Sequence, residues 1–272
     1  MRMKNILGAI YKFLQKGGLL TWIILIGIWS IGSLLITKSF LPSPWETIIG
    51  GKELVLNGKL FYFMLVSIGR VLKGWTISLC FAVPIGLLIG RSETVKKLFE
   101  PFIDFFRFVP AIALITLFLM WFGVGEKSKT ALIIYASFFV IVVNTAAGVL
   151  GVEQNRIQAA RALGASELQI LLTVIIPSAV PFIFTGLRLG LGSSFTAIVG
   201  AEMIAANEGL GYLIYTSRLY FKTDWIFVGV LTLGTLGFLS DKGLRLFGKK
   251  VLGRYGVKDG SRFGDAERSK SK

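Results

Sequence analysis

Few residues in this chain could do chemistry. There is no histidine, which removes imidazole acid–base catalysis and imidazole metal sites. The one cysteine, Cys80, excludes an intrachain disulfide and a thiolate metal cluster. Its place inside an apolar run predicts a small buried hydrophobe. No nucleophile–base set or metal-ligand set is visible, so the chain is not read as an enzyme. What remains are ionisable residues within apolar runs: Arg70, Lys73, Arg188 and Glu202. A charge at mid-bilayer costs at least about 2.5 kcal/mol, so such a residue faces protein, water or a partner. Arg188 and Glu202 are separated by roughly 21 Å along a helix and cannot pair on one continuous helix. Arg188 either snorkels to the inner end or lines a pathway. Glu202 either packs or holds an outer gate. Arg70 and Lys73 either anchor at the interface or attract an anion. Near them Gly186, Gly190, Ser194, Ala197 and Ala201 form a stripe of small residues. Such a stripe serves close helix packing, a dimer seam or the wall of a pathway.

The elements that must position these residues follow from composition. The 272 residues are 54% hydrophobic and 17% charged, with a mean hydropathy of +0.71. An average soluble domain carries about 25% charged residues. A bilayer core of about 30 Å needs roughly 20 apolar helical residues. Runs at 19–37, 75–90 (extended outward from 68), 108–122, 130–150, 181–206 and 225–239 (extended to about 247) predict an all-α, polytopic membrane protein with six spans. Pro84 and Pro110 are expected to kink their spans. The formal charge of +15 would suggest nucleic acid in a soluble protein. Here the charges lie between and beyond the spans, so they set orientation and no nucleic-acid partner is expected. Twenty of the 30 basic residues fall in segments on the side of the N-terminus, and seven on the other side. That predicts both termini in the cytoplasm.

Three domains follow. Residues 1–18 are a basic leader, either an amphipathic helix on the membrane surface or a solvated segment. Residues 19–250 are the membrane domain. Residues 251–272 are a basic tail, expected to be disordered. In the first outer loop Ser43, Pro44 and Glu46 predict a capped short helix ended by Asn57-Gly58.

The most informative segment is 153–177, between spans four and five. Its first part is a helix with Ile157, Ala160 and Leu163 on one face. Gly164 stands where that helix should stop. Ser166 and Gln169 form a second capping box. Pro177 and Pro181 are expected to break the following helix before span five. The product is a helix–turn–helix at the inner face.

Gln158-Ala159-Ala160, then three residues, Gly164, nine more, and Val174-Ile175-Ile176-Pro177 resemble the EAA loop of ABC importer permeases. The family pattern has Glu, Ile and Leu where this chain has Gln158, Val174 and Ile176. Leu41-Pro42-Ser43-Pro44, Arg107-Phe108-Val109-Pro110, Trp121 to Glu126 and Gly186-Leu187-Arg188 are similar to the nitrate/sulfonate/taurine/bicarbonate branch of that family. The resemblance covers about 19–250. It implies a type I permease fold with a cytoplasmic coupling helix between spans four and five. Gln158, Ala159, Ala160, Leu163, Gly164, Ser166 and Pro177 would form the ATPase-coupling loop. Arg188, Gly190, Ser194, Ala197 and Glu202 are the pathway or gate candidates. It also implies a second copy of the chain, a separate cytoplasmic ATPase dimer and an extracytoplasmic solute-binding protein at a bacterial inner membrane. No Walker A sequence is present, so ATP and magnesium would be held by the partner ATPase and no cofactor by this chain. The solute would be a small organic or inorganic anion. A stand-alone secondary transporter is the alternative class; it would need coupling residues near the midplane and an internal repeat.

Overall fold

The computed structural model describes residues 19–37 and 39–255. The leader and the tail beyond Tyr255 lie outside the described residues. All described regular structure is helical: α1 Leu19–Leu35, α2 Pro44–Leu56, α3 Lys59–Arg91, α4 Glu93–Phe106, α5 Ile115–Phe122, α6 Glu126–Leu150, α7 Gln154–Ala162, α8 Glu167–Ala205, α9 Leu210–Leu219 and α10 Thr223–Leu252. Short 3₁₀ turns at Ala111–Leu114 and Gly253–Tyr255 complete it. Helical structure thus runs past residue 250, where the tail was expected to begin.

Among the described residues, α3, α6, α8 and α10 are each long and apolar enough to cross a membrane. The pair α4 and α5, with the turn between them, is long and apolar enough only when taken together, and it is bent by 86° at its break. The apolar α1 is about 25 Å long, shorter than a roughly 30 Å bilayer core. The six expected spans are therefore four full-length helices, one bent helix pair and one shorter helix.

The bent pair corrects two expectations. Residues 91–107 are not a loop, and 108–122 is not one helix. Ser92 caps α4 by accepting from the Val95 N–H. The chain leaves helical geometry at 107–110 because Pro110 lacks a donor and its ring pushes Val109 out of the α region. The Tyr135 hydroxyl on α6 donates to the freed carbonyls of Phe106 (2.7 Å) and Val109 (3.3 Å). In α2 the predicted capping box is present, with Glu46 N–H on Ser43 Oγ and Ser43 N–H on the Glu46 carboxylate. Gly58 ends that helix at φ +72°. The stretch 207–224, read as a loop, contains α9.

The core is built around α6, which lies between α3 and α8. Small residues let the backbones approach. A Cβ on Gly74 or Gly86 of α3 would stand 2.6 Å from Ile133 or Thr145 of α6. On the opposite side, a Cβ on Gly186 or Gly190 of α8 would stand 2.7 Å from Asn144 or 2.9 Å from Ile141. Trp75 Nε1 donates to the Leu187 carbonyl at 3.0 Å and ties α3 to α8. Cys80 is exposed on the outward face of α3, not buried. The inward face of α3 is taken by Ser78 and Ala82, and a lipid-facing position suits an apolar thiol equally well.

The packing makes a direct prediction. Gly86→Val should lower stability by about 1–3 kcal/mol, the usual penalty for overpacking. Gly69→Ala, where a Cβ meets nothing within 4 Å, should leave it unchanged. Thermal unfolding of both purified variants in detergent measures the difference.

Candidate functional site: a coupling loop and a buried ion cluster

The two ends of α6 and α8 carry the polar architecture. At one end stands the loop 153–177. Helix α7 ends at Leu163, and the Gly164 N–H donates to Arg161 O while the Ala165 N–H donates to Ala160 O, at 3.0 and 3.1 Å. This paired bonding needs a left-handed residue, and Gly164 supplies it at φ +82°. The Ser166–Gln169 capping box then starts α8. Ile157 and Ala160 pack on a small core of Val149, Val152, Ile170, Ile175 and Ala179. Leu163 does not share that face: it is 89% exposed, and Leu168 beside it is 65% exposed. Gln158, Ala159, Gly164 and Ser166 are exposed as well, and Pro177 is half-buried. Two large apolar side chains thus stand at a turn with little of the described residues over them. Glu167 takes Arg161 of α7 at 2.7 Å and also pairs with Arg91 at the end of α3.

Pro177 and Pro181 do not break the helix. The 39 residues from Glu167 to Ala205 form one continuous helix. Its turn at Leu171–Ile175 is π-helical, with the Ile176 N–H bonded to Leu171 O. The widened turn lets Pro177 enter at the first positions of a fresh α segment, where its missing N–H leaves no gap.

At the far end of α8 lies Glu202, with no solvent exposure. Its carboxylate accepts from Ser67 Oγ at 2.8 and 2.9 Å, from Arg70 Nη1 at 2.9 Å and from the Gly211 N–H at 2.9 Å. Arg70 is 5% exposed and corrects the expectation of an interface anchor. Its Nε and Nη2 grip the Glu126 carboxylate at 2.9 and 2.7 Å. Nη1 also reaches Glu208 O at 2.8 Å, and Nη2 reaches the Glu208 carboxylate at 3.0 Å. All five guanidinium donors are thereby used. Lys129 Nζ adds a second cation, 2.9 Å from Glu126. Tyr62 donates to Glu208. The chain turns tightly around Glu202: Gly209 adopts φ +110°, and a Cβ on Gly209 or Gly211 would run into the glutamate side chain. Lys73, by contrast, is exposed.

The other candidates are placed apart from this cluster. Arg188 makes a two-point pair with Asp241 of α10 at 2.7 and 3.2 Å rather than snorkelling free. Gly190, Ser194 and Ala197 are buried, and the first of these packs against α6 of the same chain. Sequence reasoning missed Glu126, Glu208 and Ser67 as partners. A usable signal was present: a cation and an anion, Arg70 and Glu202, each inside an apolar run and each in need of a counter-charge.

A helical bundle with a projecting helix–turn–helix, carried on an unbroken strut from a buried ion cluster, defines a polytopic membrane transport subunit of the ABC importer permease class. The chain belongs to the family of binding-protein-dependent transport system inner membrane components, whose profile matches residues 82–253. It is 36% identical to the taurine transport system permease protein of Escherichia coli, over 82% of this chain and 83% of that one. It is 35% identical to a putative aliphatic sulfonates transport permease protein of Bacillus subtilis, over 86% of each. The fold matches the inward-facing MetNI methionine ABC transporter with a TM-score of 0.56 at 16% identity, over 68% of this chain and 94% of that one. These findings bear out the type I permease fold and the branch read from the sequence.

Removing Arg70 would leave Glu202 buried without its counter-charge. Arg70→Ala should lose about 3–5 kcal/mol of stability. Arg70→Lys should recover only part of it, because an ammonium cannot reproduce the five-donor fork. Thermal unfolding in detergent checks both, and the double variant Arg70→Ala with Glu202→Ala should be less damaged than the two single losses added together.

Proposed function

We propose that two copies of this chain form the translocation pathway of an ATP-driven importer, with ATP and magnesium held by a separate ATPase dimer. The ATPase docks on 153–177, both termini face the cytoplasm of a bacterial cell, and a binding protein delivers solute to the Glu202 end. The solute is a small anion of the sulfonate type, as the names of the taurine and sulfonate relatives suggest.

The observation that carries the reading is the loop with its strut. Leu163 and Leu168 offer an uncovered apolar knob at a fixed turn. The knob is joined without interruption to the 39-residue α8. At about 1.5 Å per residue that helix is roughly 58 Å long, nearly twice a bilayer core. Its loop end must therefore reach well beyond the membrane, where a soluble motor can grip it. When the ATPases close, their groove moves α7, the Gly164 turn passes the displacement to α8, and α8 carries it to the ion cluster. Each state then differs in the contacts at both ends, which is what shifts the balance between inward and outward openings. No bond in the solute is made or broken by this chain.

Co-purification tests it. The tagged chain should bring a P-loop ATPase with it in stoichiometric amount. Leu163→Asp and Gly164→Val should lose the ATPase while their unfolding temperatures stay within a few degrees of wild type. Recovery of the chain without an ATPase, equally from wild type and variants, would overturn the reading.

A further inference from the structure

We propose that the cavity at the break between α4 and α5 is a resting place for the solute within the pathway, and that it takes a small organic anion by its charged head and its carbon body. The inference deepens the function proposed above and rests on it. The cavity has a volume of about 410 Å³, within the few hundred to 1,000 Å³ of small-molecule sites. Its lining is mostly apolar, with Phe106, Val109 and Phe139, and its polar side chains are Arg107, Tyr135, Ser193 and Thr196.

Depth is the first support. Tyr135, which lines the cavity, stands on α6 nine residues from Glu126, and Ser193 stands on α8 nine residues before Glu202. Either route gives about 13 Å from the ion cluster. The cavity therefore lies partway along these helices rather than at their ends, on a face where Arg107 and Thr196 are exposed.

The interrupted helix is the second. Non-helical backbone at membrane depth persists only where protein buries it or a water-filled cavity borders it. Here Tyr135 satisfies the Phe106 and Val109 carbonyls, and residues 107 and 109–111 of the break line the cavity.

Charge is the third. Among the described residues, Arg107 is the only cation in the lining. Its carboxylate neighbour, Asp104, lies 3.3 Å away and is 52% exposed. Exposed pairs of this kind hold by about 0–1 kcal/mol, so the guanidinium can take a second anion. Arg188 cannot do the same, since Asp241 holds it at two points. A guanidinium matches a sulfonate or carboxylate with two parallel N–H bonds, and the aromatic wall suits a short carbon chain.

The test uses the whole transporter, permease with its ATPase and binding protein, in proteoliposomes. The probes are radiolabelled taurine and a simple alkanesulfonate. Arg107→Gln and Thr196→Leu, each confirmed to assemble with the ATPase, should reduce uptake at least tenfold, and Arg107→Lys should retain part of it. In parallel, Ser193→Cys in a Cys80→Ser background should react with a negatively charged methanethiosulfonate, while native Cys80, on the lipid face, should not. Uptake unchanged in the variants overturns the subsite, whether or not Ser193→Cys is labelled. Uptake lost without labelling overturns it too, because a dry cavity cannot pass an anion. A wild-type complex that accumulates neither probe overturns the anion reading itself, and the subsite falls with it.

Discussion

Everything in this subunit depends on how closely α6 is held between α3 and α8. In lipid there is no hydrophobic drive between helices, so association rests on van der Waals contact and a few hydrogen bonds. Glycine and serine on the two flanking helices bring the backbones near enough for that contact. Gly74 and Gly86 do so on one side, Gly186 and Gly190 on the other. These contacts run along most of α6 and fasten the three helices together. The stripe on α8 that sequence alone could assign to a dimer seam packs instead within its own chain.

That unit joins two very different ends. One end is soft: exposed side chains, a glycine turn and ion pairs open to water. The other is hard, with Arg70 buried among three carboxylates and all its donors committed. A buried guanidinium with incomplete bonding would be costly, and here the bonding is complete because the 206–211 turn folds back over Glu202. The same arrangement ties the start of α6, the end of α8 and the start of α9 to α3 at one point. The loop end is thus joined through one continuous helix to a junction of four helices.

How much of this was legible in the sequence follows the range of each interaction. Features set by neighbours were readable. The capping boxes at Ser43 and Ser166 and the left-handed stop at Gly164 each depend on three or four consecutive residues. Features set across the fold were not. Arg70 and Glu202 were recognised as charges in apolar runs, but the 132 positions between them hid their pairing. Cys80 was misplaced because both faces of a membrane helix are apolar, so hydrophobicity does not say which one meets lipid. The bent pair was read as a single short span because Phe108 to Phe122 is apolar on both sides of Pro110. Pro177 misled for the opposite reason. A proline normally ends a helix, and only a one-turn change of hydrogen-bond pattern upstream let this one continue.

That turn has a geometric consequence. A π-helical turn holds one residue more than the α-turn it replaces, and each residue of an α-helix advances the azimuth by about 100°. The extra residue within Leu171–Ile175 thus fixes the direction in which the start of α8, and the α7 hairpin fastened to it, points relative to the bundle. Were the same number of residues wound there as regular α structure, the extra one would add its own step of rotation. Leu163 and Leu168 would then be presented about 100° around the axis, to a different side of the protein. The irregular turn is in effect an indexing notch, and the direction in which the α7 hairpin projects is written into it.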